Sequence, residues 1–129
     1  MGIRVLIVDD EKTVRESFRA CLKDYGFDAH AVSNASEALE VLSTERYDVA
    51  LIDMQLPEMG GESLIAKAYE LAPRLRFLIH TGRPQVHITT NLERIGIGPK
   101  NILLKPQMDF ALVVDRIRNL AAEGNGRER

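Results

Sequence analysis

The sequence predicts an α/β fold in which five parallel strands form one doubly wound sheet with helices on both faces. Three observations predict it. Short apolar runs alternate with helix-period patterns along the whole chain. The runs are almost continuous in Val, Ile and Leu, as in strands buried on both faces of a parallel sheet. The chain has 129 residues, 45% hydrophobic and 28% charged, which is one globular domain in size and composition.

Each element has its own signal. Val5–Val8 is an apolar run of strand length that stops at Asp9-Asp10. Val14, Phe18, Cys21, Leu22 and Tyr25 then form an i, i+4, i+7, i+8, i+11 stripe, an amphipathic helix closed by Gly26. Residues 27–32 are a weaker strand. Asn34, with Glu37 three residues on, reads as a capping box opening a helix through about Leu42. Residues 49–52 form the third strand, ending in Asp53. The Pro- and Gly-containing segment 54–61 is a loop. A helix follows over 62–72, bearing Leu64, Ile65, Ala68 and Leu71, and Pro73 ends it. Residues 76–80 are the fourth strand, stopping at Thr81-Gly82. Residues 84–95 carry a helical stripe of Val86, Leu92 and Ile95, although Thr89-Thr90-Asn91 is poor helix chemistry. Residues 102–104 are the fifth strand, ending in Lys105-Pro106. Phe110, Val113, Val114, Ile117 and Leu120 make the last helix. The expected division is one domain over 1–121 and a polar tail, or the start of a linker, over 122–129.

Composition excludes several classes. The longest unbroken apolar run is five residues, 110–114, too short to cross a membrane, and the N-terminus lacks a signal-peptide layout. The single cysteine, Cys21, cannot form an internal disulfide and reads as packing in a reducing compartment. A cytoplasmic location is therefore expected. A net charge of −2 disfavours a strongly basic nucleic-acid-binding domain, although a neutral chain can still carry a local patch, and with no Trp and only seven other aromatics there is no obvious stacking platform, so direct nucleic-acid binding is not expected.

In a parallel sheet the carboxyl ends of the strands share one edge, where open α/β sheets place their sites. Here Asp9-Asp10, Asp53, Thr81 and Lys105 all stand just past apolar runs. Each alone has an ordinary explanation: a helix cap, a turn, a stop signal. Their coincidence on one edge does not. Three carboxylates repel one another, and a hard divalent cation such as Mg²⁺ resolves the conflict with oxygen ligands. No His/Cys cluster has zinc-ligand spacing. His80 reads as a partly buried strand residue, and His87 also lacks a zinc-like pattern. A carboxylate can attack phosphorus to give an aspartyl phosphate, a transfer that needs a metal and a fixed cation on the equatorial oxygens. Lys105 supplies that cation, and the Thr81 hydroxyl can hydrogen-bond a phosphoryl oxygen.

The motifs Val8-Asp9-Asp10, Ile52-Asp53 with the loop through Gly61, His80-Thr81-Gly82 and Leu103-Leu104-Lys105-Pro106 resemble the response-regulator receiver domain of two-component signalling, in order and spacing, over residues 3–121. The resemblance implies a flavodoxin-like fold with strand order 2-1-3-4-5. It implies that Asp53 accepts a phosphoryl group from a phosphohistidine on a sensor histidine kinase or histidine phosphotransfer protein, and that a conformational switch then controls an output. It further implies Mg²⁺ bound directly by Asp10, Asp53 and the backbone carbonyl of Gln55, with Asp9 acting mainly through water. Lys105 would pair with the phosphoryl group and Thr81 would move inward to contact it. The domain would be regulatory rather than an enzyme.

Departures from the family pattern fall away from the acceptor. Ile102 replaces the usual switch aromatic, so Thr81 is expected to move without a large rotamer exchange at 102. Gln107 replaces a common Phe, Pro99 is new in the 97–101 segment, and Gly60 stands where many members have Asp. Gln55 and Arg83 occupy the two positions that flank the in-line approach of water. Arg83 is expected to shield the phosphoryl group and Gln55 to favour its hydrolysis. An aspartate-nucleophile phosphatase would carry Asp-x-Asp after its first strand, where this chain has adjacent Asp9-Asp10. A nucleotide binder would want a Gly-rich loop there, and residues 11–15 have no glycine. A scaffold that only binds a partner would not need the acidic residues.

Overall fold

The computed structural model describes residues 2–57, 59–82, 88–105 and 109–126, with 125 and 126 described in backbone only. In chain order the elements are β1 (Arg4–Val8), α1 (Lys12–Asp24), β2 (Asp28–Val32), α2 (Ala35–Thr44), β3 (Val49–Asp53), α3 (Gly61–Leu71), β4 (Arg76–Thr81), α4 (Thr90–Ile95), β5 (Ile102–Leu104) and α5 (Phe110–Gly126), with a 3₁₀ turn at Pro99–Asn101 before β5. The strands pair in parallel in the order β2-β1-β3-β4-β5, as the family resemblance implies.

Alternation along the strands divides the core in two. Val5 and Ile7, Val49 and Leu51, Leu78 and Leu103 face α1 and α5, where they meet Phe18, Leu22, Val113, Val114 and Ile117. Leu6 and Val8, Ala50 and Ile52, Phe77 and Ile79 face α2, α3 and α4, meeting Ala38, Leu42, Leu64, Ile65 and Leu92. All of these strand residues are at most 2% exposed, which accounts for the near-continuous apolar runs.

The helix ends follow from local chemistry, with three differences from expectation. Asn34 Oδ1 accepts from the Glu37 N–H at 2.8 Å, but Glu37 reaches past the cap and accepts from the Ser33 N–H at 3.1 Å and the Ser33 hydroxyl at 2.7 Å. Those bonds hold the Glu37 carboxyl below its usual pKa range. Helix α4 begins only at Thr90. Thr89 is its N-cap, accepting from the Leu92 N–H at 3.2 Å, so the threonines that weakened the helical pattern start the helix instead. Residues 84–87 of the expected helix lie outside the described residues. Helix α5 runs to Gly126, so 122–126 continue the helix rather than forming a tail. Gly124 allows this: a Cβ there would stand 3.1 Å from the Arg74 carbonyl oxygen, so the absent side chain lets the last turns lie close to the loop before β4. The remainder of the expected tail, 127–129, is outside the described residues.

At the amino ends of β1 and β2, Arg4 donates from Nε to Asp28 at 2.9 Å and from Nη2 to Glu45 at 2.9 Å, and its guanidinium covers the Tyr47 ring at 4.6 Å. This cluster fixes the edge of the sheet opposite the strand ends that carry the site.

Candidate functional site

Strands β1, β3, β4 and β5 are consecutive neighbours in the sheet, so the residues at their carboxyl ends come together. Asp9 follows β1, Asp53 ends β3, Thr81 ends β4 and Lys105 follows β5. Asp9, Asp10 and Asp53 each present a carboxylate oxygen, and the three oxygens lie within 4.8 Å of one another. Asp9 and Asp53 are each 2% exposed, whereas Asp10 is exposed. Lys105 Nζ donates to Asp53 Oδ1 at 3.2 Å. Asp53, grouped with two further carboxylates, thus meets one ammonium, and its own burial leaves that contact only partly screened.

Two of the carboxylates are aimed by the same device. Asp9 Oδ1 accepts from the Glu11 N–H at 2.9 Å, and Asp53 Oδ1 accepts from the Gln55 N–H at 3.0 Å. In each case the aspartate at the end of a strand closes a turn onto the residue two positions later. One oxygen of Asp9 is therefore committed to a turn, while the helix-cap position that the sequence offers to the acidic pair falls to Glu11, which caps α1 without a side-chain hydrogen bond. The neighbouring backbone is tied across the sheet: the Met54 N–H donates to the His80 carbonyl at 3.1 Å, and the Lys105 N–H to the Thr81 carbonyl at 2.7 Å.

Two residues that the sequence does not single out support this edge. Arg15, one turn into α1, donates from Nη1 to the Asp9 carbonyl at 2.9 Å. An arginine within a helical turn of an acidic pair is the only sequence signal for it. Gly61 lies against the acceptor loop. A Cβ on it would stand 2.8 Å from Met54 Cα and 3.2 Å from the Asp53 carbonyl oxygen, so a glycine is required for the loop to fold back on α3. The Gly60-Gly61 pair signals a turn but not which glycine is sterically necessary.

His80 is fully buried rather than partly so, at 3% exposure. It pairs in register with Asp53, and its ring meets Phe18 edge-on at 5.0 Å between centroids. Its Nδ1 lies 4.0 Å from Asp9 Oδ2. Thr81 is 1% exposed, Gln55 is exposed on the loop, and Ile102 is half-buried at the start of β5, paired with Ile79. Arg83, His87, Pro106 and Gln107 lie outside the described residues.

The donor set is all oxygen, carries a surplus of negative charge and lies at an open sheet edge. That combination fits a hard divalent cation of the Mg²⁺ type. Among the described residues no helix is long and apolar enough to cross a membrane.

A five-stranded parallel sheet in the order 2-1-3-4-5, with an aspartate cluster and a lysine at its carboxyl edge, defines a class of signalling domain. The model of the response regulator receiver domain matches residues 5–118, and the chain belongs to that family. It is 32% identical over 103 residues to the alginate biosynthesis transcriptional regulatory protein AlgB of Pseudomonas putida, covering 80% of this chain and 22% of AlgB. It is 28% identical over 117 residues to the transcriptional regulatory protein DltR of Streptococcus agalactiae, covering 90% of this chain and 51% of DltR. The chain thus spans about a fifth to a half of these relatives. Among solved structures, the CheY-like receiver domain protein of Methanospirillum hungatei superimposes with a TM-score of 0.87 at 25% identity, covering 98% of this chain and 99% of the other. The domain is regulatory, a receiver of two-component systems.

Proposed function

We propose that this receiver is a phosphoacceptor in which Asp53 is the phosphorylated residue. One observation carries the reading. Asp53 is buried at the end of the central strand, in contact with the Lys105 ammonium at 3.2 Å and grouped with the carboxylates of Asp9 and Asp10. A carboxylate so placed keeps a nucleophilic oxygen at the sheet edge with a cation fixed beside it.

The donor is a phosphohistidine on a sensor histidine kinase or histidine phosphotransfer protein. A carboxylate oxygen of Asp53 forms the new O–P bond as the N–P bond breaks. The electron pair of that bond returns to the imidazole nitrogen, which takes up a proton. Mg²⁺ would be held by Asp10, Asp53 and the Gln55 carbonyl, with Asp9 acting through water, and supplies positive charge to the transferring phosphoryl oxygens. Lys105 would share that task. Its contact with Asp53 Oδ1 at 3.2 Å supports this role. Thr81, at the end of β4, is the hydroxyl that hydrogen-bonds the phosphoryl group and carries its arrival toward the loop before α4.

The receiver in this reading takes in all of α5, to Gly126, and acts in the cytoplasm. Its output is a linked domain or a separate partner. The relatives named as transcriptional regulators suggest control of transcription, with any DNA contact made outside this domain. Incubating the protein with a small phosphodonor and Mg²⁺, then weighing it intact, tests the proposal. One added phosphoryl group, dependent on Mg²⁺, is the expected result. An unchanged mass under conditions that phosphorylate an established receiver contradicts it.

A further inference from the structure

His80 is a buried polar side chain to which phosphoacceptor chemistry gives no task. Its side chain is 4% exposed, and neither ring nitrogen has a hydrogen-bond partner among the described residues. An unpaired imidazole in the core is a standing cost. The row it occupies is otherwise apolar. Alternation along β4 puts it on the Leu78 side, facing α1 and α5, where Phe18 closes over the ring. An aliphatic side chain would meet the same neighbours with no such cost.

What distinguishes the position is the acidic pocket beside it. Register sets His80 opposite Asp53, and Nδ1 stands 4.0 Å from Asp9 Oδ2, both side chains being at most 4% exposed. Asp9 Oδ1 is committed to the Glu11 N–H at 2.9 Å. Oδ2 makes no hydrogen bond among the described residues, and the imidazole is poised beside it. The gap exceeds a hydrogen bond by about 1 Å, so a small approach of either side chain closes it.

We propose that His80 is a positioning residue for the acidic pocket. Its Nδ1–H donates to Asp9 Oδ2 when a divalent cation is bound, and it fixes the orientation of that carboxylate. The inference rests on the reading of the pocket as a Mg²⁺ site. Hydrogen bonds from outside the ligand set commonly orient metal-binding carboxylates, and loss of such a bond to a direct ligand costs about 10–100-fold in metal affinity; Asp9 acts through water, so the lower end of that range applies. The bond also repays the unpaired nitrogen, so the same side chain weakens the cation-free fold and favours the loaded one. Ordinary packing does not produce those opposite signs. The backbone bond from Met54 to the His80 carbonyl is independent of the side chain and survives substitution.

The test is thermal melting of the full chain across a Mg²⁺ titration, in wild type, His80→Leu and His80→Asn. His80→Leu is expected to melt at or above wild type in chelator, with a Mg²⁺ Kd raised about tenfold. His80→Asn, whose amide nitrogen sits close to the place of Nδ1, is expected to recover most of the affinity. Equal Mg²⁺ affinity in wild type and His80→Leu overturns the proposal. Loss of the fold in His80→Leu, or an equal loss of stability with and without Mg²⁺, also overturns it, because packing would then define the residue. Absence of any Mg²⁺ response in wild type instead removes the cation site itself.

Discussion

Lys105 Nζ lies 3.2 Å from Asp53 Oδ1, joining the end of β5 to the end of β3 across the intervening strand β4. Asp53 is buried and Lys105 is 21% exposed in its side chain, so the pair is only partly screened by solvent. Lys105→Met leaves three carboxylates facing one another without their cation. We expect a loss of about 1–3 kcal/mol in chelator, read by urea denaturation, with part of it restored by Mg²⁺. Unchanged stability in chelator would mean the contact contributes nothing to the resting fold.

Asp10 is the exposed member of the cluster, and its side chain makes no hydrogen bond among the described residues. Asp10→Ala is expected to remove Mg²⁺-dependent stabilisation while leaving the metal-free protein as stable as wild type or more so, because one repelling charge is gone. Differential scanning calorimetry with and without Mg²⁺ checks both halves. A retained Mg²⁺ shift in the variant would place the cation elsewhere.

The adjacent glycines at the start of α3 separate two kinds of constraint. Gly60 has φ +77° with nothing within 4 Å of a built Cβ, so Gly60→Ala costs backbone strain of about 1–3 kcal/mol without a clash. Gly61→Ala drives a methyl against Met54 Cα and costs about 1–3 kcal/mol through displacement of the loop. We expect both to lower the melting temperature, and only Gly61→Ala to slow phosphorylation markedly, since it presses on the backbone next to Asp53. Equal phosphorylation rates in the two variants would contradict this.

At the opposite edge, the hydrogen bond from Arg4 holds the Asp28 carboxyl below its ordinary pKa. A carboxyl with a depressed folded-state pKa stabilises the protein above its unfolded value and loses that contribution as the pH falls through the folded one. Asp28 is 51% exposed, so the contribution is at most about 1 kcal/mol. Asp28→Asn is expected to cost that amount near neutrality and to converge with wild type as the pH falls below about 4. Denaturation across that range checks the sign. A difference that widens in acid would reverse it.

The strand ends were legible because parallel strands buried on both faces leave unbroken apolar runs, and the residue ending each run is therefore conspicuous. Asp9, Asp53, Thr81 and Lys105 were found in this way, and the sheet order followed from the family resemblance. What the sequence did not reveal depends on contacts between elements. The hold of Arg15 on the Asp9 carbonyl and the clash that requires Gly61 arise only when α1 and α3 lie against their loops. His80 looked like an ordinary strand residue because its neighbours, Phe18 and Asp9, belong to other elements. The extension of α5 past 121 was hidden by polar and glycine composition, and the gap at Gly124 that admits the Arg74 carbonyl has no sequence signature.

The most direct test is phosphorylation of wild type and Asp53→Asn by a small phosphodonor with Mg²⁺, followed by intact mass and peptide mapping. A single phosphoryl group on wild type, stable in acid, labile in base and mapped to Asp53, is the predicted result, together with its absence from Asp53→Asn. A phosphoryl group retained on Asp53→Asn, or mapped to another residue of the wild type, would contradict the assignment of Asp53 as the acceptor.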